Sequence, residues 1–173
     1  MRVIAGEARG RPLRAKLPST VRPTTDRAKE AIFSMLESRG GLMDLVVVDL
    51  YCGSGALGIE ALSRGAKKAY FVDSDPACLQ AAKANLAPFG LSGEAVFVRA
   101  TLPLWTPPED VDLVLADPPY GAVDVGALLR GVGASRVIVE NDRVASAPEG
   151  WEITKTKRYG TTLVTMLEPL VAQ

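Results

Sequence analysis

The sequence contains no histidine and only two cysteines among its 173 residues. Without histidine the chain cannot form a Ser-His-Asp triad, a Cys-His nucleophile pair or a histidine-ligated metal site. Two cysteines are too few for a four-cysteine zinc site or for a disulfide framework in a chain of this length. Any catalysis must therefore use carboxylates, backbone groups, aromatic rings or a bound cofactor, and we expect no metal ion.

Long hydrophobic runs are also missing. The longest apolar stretch, 42–50, is interrupted by Asp44 and Asp49, so it is too short and too charged to span a bilayer. The first residues, MRVIAGEARG, lack the apolar centre of a signal peptide. We therefore expect a soluble, cytoplasmic, monomeric protein with reduced thiols and no membrane partner.

The chain has no net charge, which argues against a uniformly basic nucleic-acid binder. The charges are nevertheless unevenly distributed. Residues 1–30 contain eight basic and three acidic side chains, whereas residues 31–173 contain twelve and seventeen. This distribution predicts a basic N-terminal segment attached to an acidic main domain.

Residues 1–22 mix basic side chains with glycine and proline, which predicts an extended arm or a short hairpin. A flexible arm of this composition could follow the phosphates of a nucleic acid. Thr24, Thr25 and Asp26 then supply cap residues for a helix predicted from Arg27 to Ser38. We predict two parts, a basic arm plus helix at 1–40 and a main domain at 41–173.

From residue 44, apolar strand patterns alternate with helical patterns. Strands are predicted at 45–50, 69–72, 95–98, 111–116 and 136–140, and helices at 55–63, 76–87 and 123–131. The segments 151–157 and 161–167 alternate like the strands of a terminal hairpin. These patterns predict an α/β, Rossmann-like fold: a mostly parallel seven-stranded sheet with helices on both faces and a C-terminal antiparallel hairpin.

The segment after the first predicted strand, DLYCGSGALG, matches G-x-G-x-x-G at Gly53, Gly55 and Gly58. Such a loop turns tightly and brings the backbone close to a ligand at a helix N-terminus. Asp73 follows twenty residues after Gly53, where a carboxylate can accept hydrogen bonds from both hydroxyls of an adenosine ribose, and Asp75 is the alternative. The pattern indicates a nucleoside cofactor and leaves NAD, FAD and S-adenosylmethionine open.

Two further features favour S-adenosylmethionine. Asp49 directly precedes the loop, where a carboxylate can bind the amino-acid end of a zwitterionic ligand, which a dinucleotide lacks. The motif DPPY, from Asp117 to Tyr120, follows the fourth predicted strand at the ligand-binding edge of the sheet. Its prolines remove two N–H donors, so that Asp117 and the Pro118 carbonyl can accept both N–H bonds of a substrate amino group. These acceptors would stabilise the charge that develops on nitrogen during methyl transfer.

RVIAG at 2–6, RGR at 9–11 and RPTTDRAKE at 22–30, together with the glycine loop, FVDSD and ADPPY, resemble the bacterial small-subunit (16S) ribosomal RNA guanine-N2 methyltransferases. These are class I enzymes that use S-adenosylmethionine, and the likeness extends to about residue 168. It implies methyl transfer to the N2 amino group of a guanine, with small-subunit ribosomal RNA or the assembling small subunit as partner. Many relatives have an acidic residue near the cofactor adenine after the third strand; this chain has Arg99-Ala100-Thr101 there.

The motifs and the resemblance together identify three groups of candidate site residues. The catalytic residues are Asp117, Pro118, Pro119 and Tyr120, whose ring would stack on the target base. The cofactor-binding residues are Asp49, Tyr51, Gly53, Ser54, Gly55, Asp73, Ser74 and Thr101. The RNA-binding residues are Arg2, Arg9, Arg11, Arg22, Thr25 and Arg27.

Other functions remain open at this point. Methylation of adenine N6 in DNA or of a protein glutamine would use the same core, but neither accounts for the N-terminal signature. A nicotinamide-dependent oxidoreductase explains the glycines but not DPPY, and a non-catalytic RNA-binding module is a further alternative. Cys52 could be a nucleophile, as in cytosine-C5 methylation, but no general base accompanies it, and a small residue packed behind the cofactor is favoured.

Overall fold

The computed structural model describes residues 1–15, 17, 25–91, 94–119, 124–143 and 146–170. Within them the elements follow in the order α1 (Asp26–Glu37), β1 (Val46–Leu50), α2 (Ala56–Ser63), β2 (Lys68–Asp73), α3 (Pro76–Leu86), β3 (Ala95–Arg99), β4 (Leu113–Ala116), α4 (Val125–Leu129), β5 (Arg136–Asn141), β6 (Trp151–Tyr159) and β7 (Thr162–Pro169). No helix in these ranges has both the length and the apolar character needed to cross a membrane.

The strands form one seven-stranded sheet in the order β3-β2-β1-β4-β5-β7-β6. Strands β1 to β5 are parallel, whereas β7 pairs antiparallel with β5, and β6 pairs antiparallel with β7. The strand order reverses between β1 and β4, which is the position where open α/β sheets bind ligands beyond the carboxyl ends of their strands. The predicted mostly parallel sheet with a terminal antiparallel hairpin is confirmed.

Different helices cover the two faces of the sheet. Val47, Leu115 and Ile138 belong to a core cluster that also contains apolar side chains of α1, α2 and α3. Intervening strand residues form a second cluster with α4. Because successive strand side chains point to opposite faces, Asp49, two residues after Val47, points to the face covered by α1, α2 and α3.

The predicted elements match the observed ones closely, and several ends have the caps that the sequence suggests. The Thr25 hydroxyl accepts a hydrogen bond from the Ala28 amide (3.1 Å) at the start of α1. Asp75 caps α3 in the same way through the Ala77 amide (2.8 Å). The side-chain oxygens of Thr25 and Asp75 thus satisfy amides that have no partner inside a helix. The start predicted for the last helix, residue 123, lies outside the described residues.

Residues 1–15 form a short hairpin that packs against the main domain. Arg2 and Pro12 form an antiparallel bridge, and the Val3 amide donates to the Arg11 carbonyl (2.9 Å). Val3 and Ala8 are buried in the same core cluster as α1 and α2. Of the two predicted alternatives, an extended arm or a short hairpin, residues 1–15 adopt the hairpin, because burial of these apolar side chains holds it in place.

Two side chains of α2 fasten the hairpin to the domain. The buried carboxylate of Glu60 accepts hydrogen bonds from the Ile4 amide (2.8 Å) and the Ala5 amide (3.0 Å). The Ser63 hydroxyl accepts from the Ala8 amide (2.9 Å) and donates to the Ala5 carbonyl (2.6 Å). Because these groups have lost water, each bond that pairs them avoids a desolvation cost of about 1–3 kcal/mol.

Candidate active site

The glycine loop connects β1 to α2, and its geometry explains why glycine occupies these positions. Gly53 and Gly55 have positive φ angles of 51° and 77°, a region that side chains with a Cβ disfavour. A Cβ on Gly55 would lie 2.9 Å from the Cβ of Ala82, and one on Gly58 would lie 2.4 Å from the ring of Phe71. The glycines thus allow the loop and α2 to pack closely against α3 and β2, with the N-terminus of α2 next to the carboxyl end of β1.

Asp73 is the last residue of β2, and its carboxylate holds the glycine loop. One oxygen accepts a hydrogen bond from the Gly53 amide (3.0 Å), and the other accepts from the Asp75 amide (2.9 Å). The Cys78 thiol also hydrogen-bonds to this carboxylate, which has four acceptor positions in all and so keeps capacity for a ligand hydroxyl. Asp75, by contrast, lies two residues past the end of β2, where its carboxylate caps α3 instead of holding the glycine loop. This geometry favours Asp73 over Asp75 as the ribose-binding residue, which stays a prediction.

Asp49 is a buried carboxylate directly before the glycine loop. Its side chain accepts a hydrogen bond from the Gly58 amide (2.8 Å). Burial raises the pKa of Asp49 well above its ordinary value, and the negative charges of Asp117 and Asp73 raise it further. The three carboxylates therefore face one electronegative region at the reversal point of the sheet. A cationic ligand group is favoured there because it offsets the repulsion among them.

The buried, electronegative environment of the Cys52 thiol argues against a nucleophilic role. Burial raises the pKa of the Cys52 thiol far above its ordinary value, and Asp49 and Asp73 raise it further. A thiol that stays protonated at neutral pH is a poor nucleophile. This environment fits the alternative favoured from the sequence, in which Cys52 is a small residue packed behind the cofactor.

The DPPY motif follows β4, the strand next to β1. Asp117 is half-buried, Pro118 is buried and Pro119 is exposed, while Tyr120 lies outside the described residues. Leu115 packs on the face covered by α1, α2 and α3, so Asp117, two residues later, continues toward the same face as Asp49. The carboxylates of Asp49 and Asp117 thus come from neighbouring strands at one edge of the sheet.

A further carboxylate at this edge belongs to Glu140, which the sequence patterns did not predict as a candidate site residue. It is only 4 % exposed and lies near the carboxyl end of β5. Because Val139 pairs with Ala116, Glu140 and Asp117 each lie one residue beyond the last paired positions of adjacent strands, which run about 4.8 Å apart. The signal available in the sequence was an acidic residue at the end of the apolar run RVIVE.

The remaining cofactor candidates lie around the glycine loop and at the ends of β2 and β3. Tyr51 is half-buried and has a positive φ of 59°. Ser74 and Thr101 are exposed. The Ala100 amide donates to the Asp73 carbonyl (3.1 Å), which keeps the segment before Thr101 next to the end of β2. The structure therefore groups these residues along one edge, and their individual contacts with a cofactor stay predictions.

Asn85 of α3 was also missed, although it connects the glycine loop to the N-terminal segment. Its side-chain amide donates to the Ser54 carbonyl (3.0 Å), and its side-chain oxygen accepts from the Ala15 amide (2.8 Å). Asn85 and Ser54 are buried. The end of the hairpin segment is thereby connected to the loop through the Asn85 side chain. An asparagine within an ordinary amphipathic helix offers no sequence signal for such a bridge.

The predicted RNA-binding side chains differ in how much of their surface is available. Arg2, Arg9 and Arg27 are exposed. Arg11 is also exposed, but its guanidinium donates to the Pro88 carbonyl (3.0 Å) and lies 5.5 Å from the centre of the Phe89 ring.

Thr25 uses its hydroxyl to cap α1, and Arg22 lies outside the described residues. The arginines at positions 2, 9 and 27 are therefore the better candidates for phosphate contacts, and this assignment stays a prediction.

Known proteins resemble this chain over most of its length. The family described as "Conserved hypothetical protein 95" matches residues 1–168. The "Putative rRNA methyltransferase YlbH" of Bacillus subtilis is 35% identical over 94% of this chain and 95% of its own length. The "Ribosomal RNA small subunit methyltransferase D" of Haemophilus influenzae is 33% identical over 92% of this chain and 89% of its own length.

The fold has a close counterpart among solved structures. The "Putative methyltransferase yhhF" of Escherichia coli superposes with a TM-score of 0.80 at 31% identity, covering 98% of this chain and 97% of that one. The family resemblance predicted from the sequence is confirmed, and the oxidoreductase alternative is wrong. The chain belongs to the family described as Conserved hypothetical protein 95, together with the small-subunit ribosomal RNA methyltransferase D proteins, and is a class I methyltransferase.

Proposed function

We propose that this protein transfers a methyl group from S-adenosylmethionine to the N2 amino group of a guanine in small-subunit ribosomal RNA. The observation that carries the proposal is the position of Asp117 and Pro118, at the end of β4 and next to the glycine loop of β1. This position brings two hydrogen-bond acceptors beside a cofactor site. The names of the relatives support ribosomal RNA as the substrate.

The residues of the glycine loop fit S-adenosylmethionine, which supplies an electrophilic methyl group when bound. Asp73 would accept hydrogen bonds from the ribose hydroxyls with its remaining acceptor capacity. Asp49 would bind the α-ammonium group, a role supported by its burial and raised pKa. A cation at this position restores the ionised form of a carboxylate that burial disfavours. The closely packed glycines would let the backbone approach the ligand.

At the acceptor side, the chain's residues orient the amino group and stabilise the charge that forms on it. The Asp117 carboxylate and the Pro118 carbonyl accept the two N2–H bonds, which points the nitrogen lone pair toward the methyl carbon. Methyl transfer would form a C–N bond at the expense of the C–S bond of the donor, and these acceptors would stabilise the positive charge that develops on N2. One N2 proton then leaves to water, which restores a neutral, methylated guanine. Alignment of the two reactants supplies much of the remaining acceleration.

Glu140 supports guanine rather than adenine as the target. Guanine has an N1–H donor next to its amino group, whereas adenine has an unprotonated N1 acceptor at that position. A carboxylate level with Asp117 would accept the guanine N1–H and would repel the adenine N1. We therefore assign Glu140 the role of selecting the base that Asp117 and Pro118 orient.

We also propose that residues 1–40 bind the RNA, as a functional appendage that shares the core of the catalytic domain. The exposed arginines at positions 2, 9 and 27 would contact phosphates. Tyr120 would stack on the target base after it leaves its helical stack. We further expect the protein to act as a cytoplasmic monomer on the assembling small subunit.

The decisive experiment supplies labelled S-adenosylmethionine and small ribosomal subunits that lack this modification, followed by nucleoside analysis of the RNA. The proposal predicts label in N2-methylguanosine. Label in N6-methyladenosine, or only in ribosomal protein, would contradict it.

The role of Glu140 is tested with the same assay on Glu140→Gln, which keeps the size of the side chain but replaces the charged acceptor by a weaker one. Loss of a charge-assisted hydrogen bond should lower kcat/KM for guanine about tenfold. The ratio of guanine to adenine methylation should fall as well, since an amide can also donate to adenine N1. An unchanged ratio would assign Glu140 to structure alone.

A further inference from the structure

A cavity of about 320 Å³ lies between the N-terminal hairpin and α1, outside the methyl-transfer site. Arg2 and Arg9 line it from the hairpin, and Asp26 and Glu30 line it from the first turns of α1. Asp26 and Glu30 are four residues apart and therefore lie on one face of the helix. We call this feature the hairpin cavity. Its walls have opposite charge, cationic on the hairpin side and anionic on the helix side.

The four charged side chains of the hairpin cavity are available to a ligand. All four are exposed. In the part of the chain that the structure describes, their side chains form no ion pair or hydrogen bond with one another or with other residues. Opposite charges that line one cavity without neutralising each other can bind complementary groups of a single ligand.

A buried ion pair fixes the walls of the hairpin cavity. Lys29 of α1 lies in sequence between Asp26 and Glu30, is fully buried, and donates a hydrogen bond to the Arg2 carbonyl. Its ammonium group also lies 3.3 Å from the Glu60 carboxylate, which in turn holds the hairpin backbone. Burying two charges is costly unless their geometry is well satisfied. The connection joins both walls, so the spacing between the backbones of the hairpin and α1 is fixed.

We propose that the hairpin cavity binds one nucleotide of the RNA substrate, distinct from the methylated one. The arginines would bind its phosphate, and Glu30 would accept hydrogen bonds from the donor edge of its base. This inference rests on the proposed function. A base with adjacent imino and amino donors, such as guanine, satisfies one carboxylate with two hydrogen bonds and fits best. Phosphates alone would be repelled by the helix wall, so the cavity also orients the strand.

The proposal predicts the sign of a mutational effect. If Asp26 and Glu30 were only solvated acidic residues near a polyanion, neutralising one would strengthen RNA binding or leave it unchanged. If Glu30 accepts hydrogen bonds from a base, neutralising it weakens binding even though it removes a repulsive charge. The two possibilities therefore differ in direction as well as in size.

The test measures KM, kcat and the salt dependence of KM for methylation of small-subunit RNA by the full-length protein. Glu30→Gln should raise KM about three- to tenfold with kcat unchanged and the salt slope unchanged. Arg9→Gln should raise KM and lower the salt slope by about 0.7, the value for one lost phosphate contact. Glu109→Gln and Arg130→Gln are matched controls, because both residues are exposed and neither lines the cavity.

The outcomes separate this inference from the proposed function. If the wild-type protein methylates guanine N2 but Glu30→Gln behaves like Glu109→Gln, with KM equal or lower, the nucleotide assignment is wrong. Equal salt slopes for Arg9→Gln and the wild-type protein would likewise overturn it. If the wild-type protein transfers no methyl group to RNA, the proposed function itself fails.

Discussion

Replacing Asp49 by asparagine should have opposite effects on the free protein and on its complex with the cofactor. Asparagine is nearly isosteric, and its side-chain oxygen can keep the hydrogen bond from the Gly58 amide. It removes the negative charge that burial and the neighbouring Asp117 and Asp73 disfavour. The unliganded variant should therefore be at least as stable as the wild type at pH 8.

The pH dependence follows from the direction of the pKa shift. Because the folded-state pKa of Asp49 lies above its ordinary value, the folded protein holds this proton more tightly than the unfolded chain does. Asp49 thus lowers stability as the pH rises from the ordinary value through the folded-state pKa. Binding of an ammonium group requires the ionised carboxylate, so wild-type cofactor affinity should rise over the same window. Asp49→Asn should lose both dependences.

The size of the effect can be worked out from ligand linkage. Loss of one charge-assisted hydrogen bond costs about 2 kcal/mol, which raises Kd about 30-fold. At a concentration one hundred times the wild-type Kd, S-adenosylhomocysteine stabilises the wild type by about 2.7 kcal/mol and the variant by about 0.9 kcal/mol. For a chain of this size, the ligand-induced rise in Tm should fall from about 5–11 °C to about 2–4 °C.

Thermal denaturation at pH 6 and pH 8, with and without S-adenosylhomocysteine, measures all of these quantities. Asp44→Asn is a suitable control, because Asp44 is exposed before β1 and has a positive φ of 62°, a conformation that asparagine tolerates. An unchanged ligand-induced shift in Asp49→Asn would refute the ammonium-binding role. Marked destabilisation of the unliganded variant at pH 8 would refute the argument from buried charge.

Three other substitutions or modifications test separate parts of the structure. Asp117→Ala should lower kcat about 100-fold or more while leaving the cofactor Kd within about twofold, as steady-state kinetics and calorimetry can establish; a parallel loss of cofactor affinity would contradict this. Lys29→Met should lower the free energy of unfolding by about 2 kcal/mol, because it removes the ammonium partner of the buried Glu60 carboxylate while Arg64 still lies 2.8 Å from that carboxylate. Lys29→Met combined with Glu60→Leu should be less destabilised than additivity predicts in denaturant titration. Cys52 should resist alkylation by iodoacetamide at pH 8 in the native protein, as judged by mass spectrometry, and rapid modification would restore a nucleophilic role.

The fold was predictable because its signals are local. Runs of β-branched residues mark strands that are buried on both faces, and the cap residues Thr25 and Asp75 mark helix starts at the observed positions. The glycine loop and Asp73 were predictable for a similar reason. A fixed spacing along one strand-loop-helix-strand unit determines where these groups meet, so their geometry needs no information from distant segments.

The attachment of the hairpin was not predictable in the same way. It depends on Lys29, Glu60 and Ser63, which lie far from residues 2–8 in the sequence and have polar side chains typical of a solvated surface. Glu140 was not predictable as a site residue for a related reason, since an acidic residue at a strand end is usually exposed. Burial of a polar group reflects tertiary packing, which a single sequence with local patterns does not reveal.

The contacts between α2 and the hairpin also change the interpretation of the uneven charge distribution along the chain. α2 begins next to Gly55 of the glycine loop and carries Glu60 and Ser63, which hold the hairpin. An eight-residue helix is about 12 Å long, so one short rigid element connects the basic hairpin to the proposed methyl donor site. A tethered arm would raise the local concentration of RNA without orienting it. A docked hairpin would hold a bound RNA strand in a fixed position relative to Asp117, and this positional constraint is what alignment of an amino group with a methyl carbon requires.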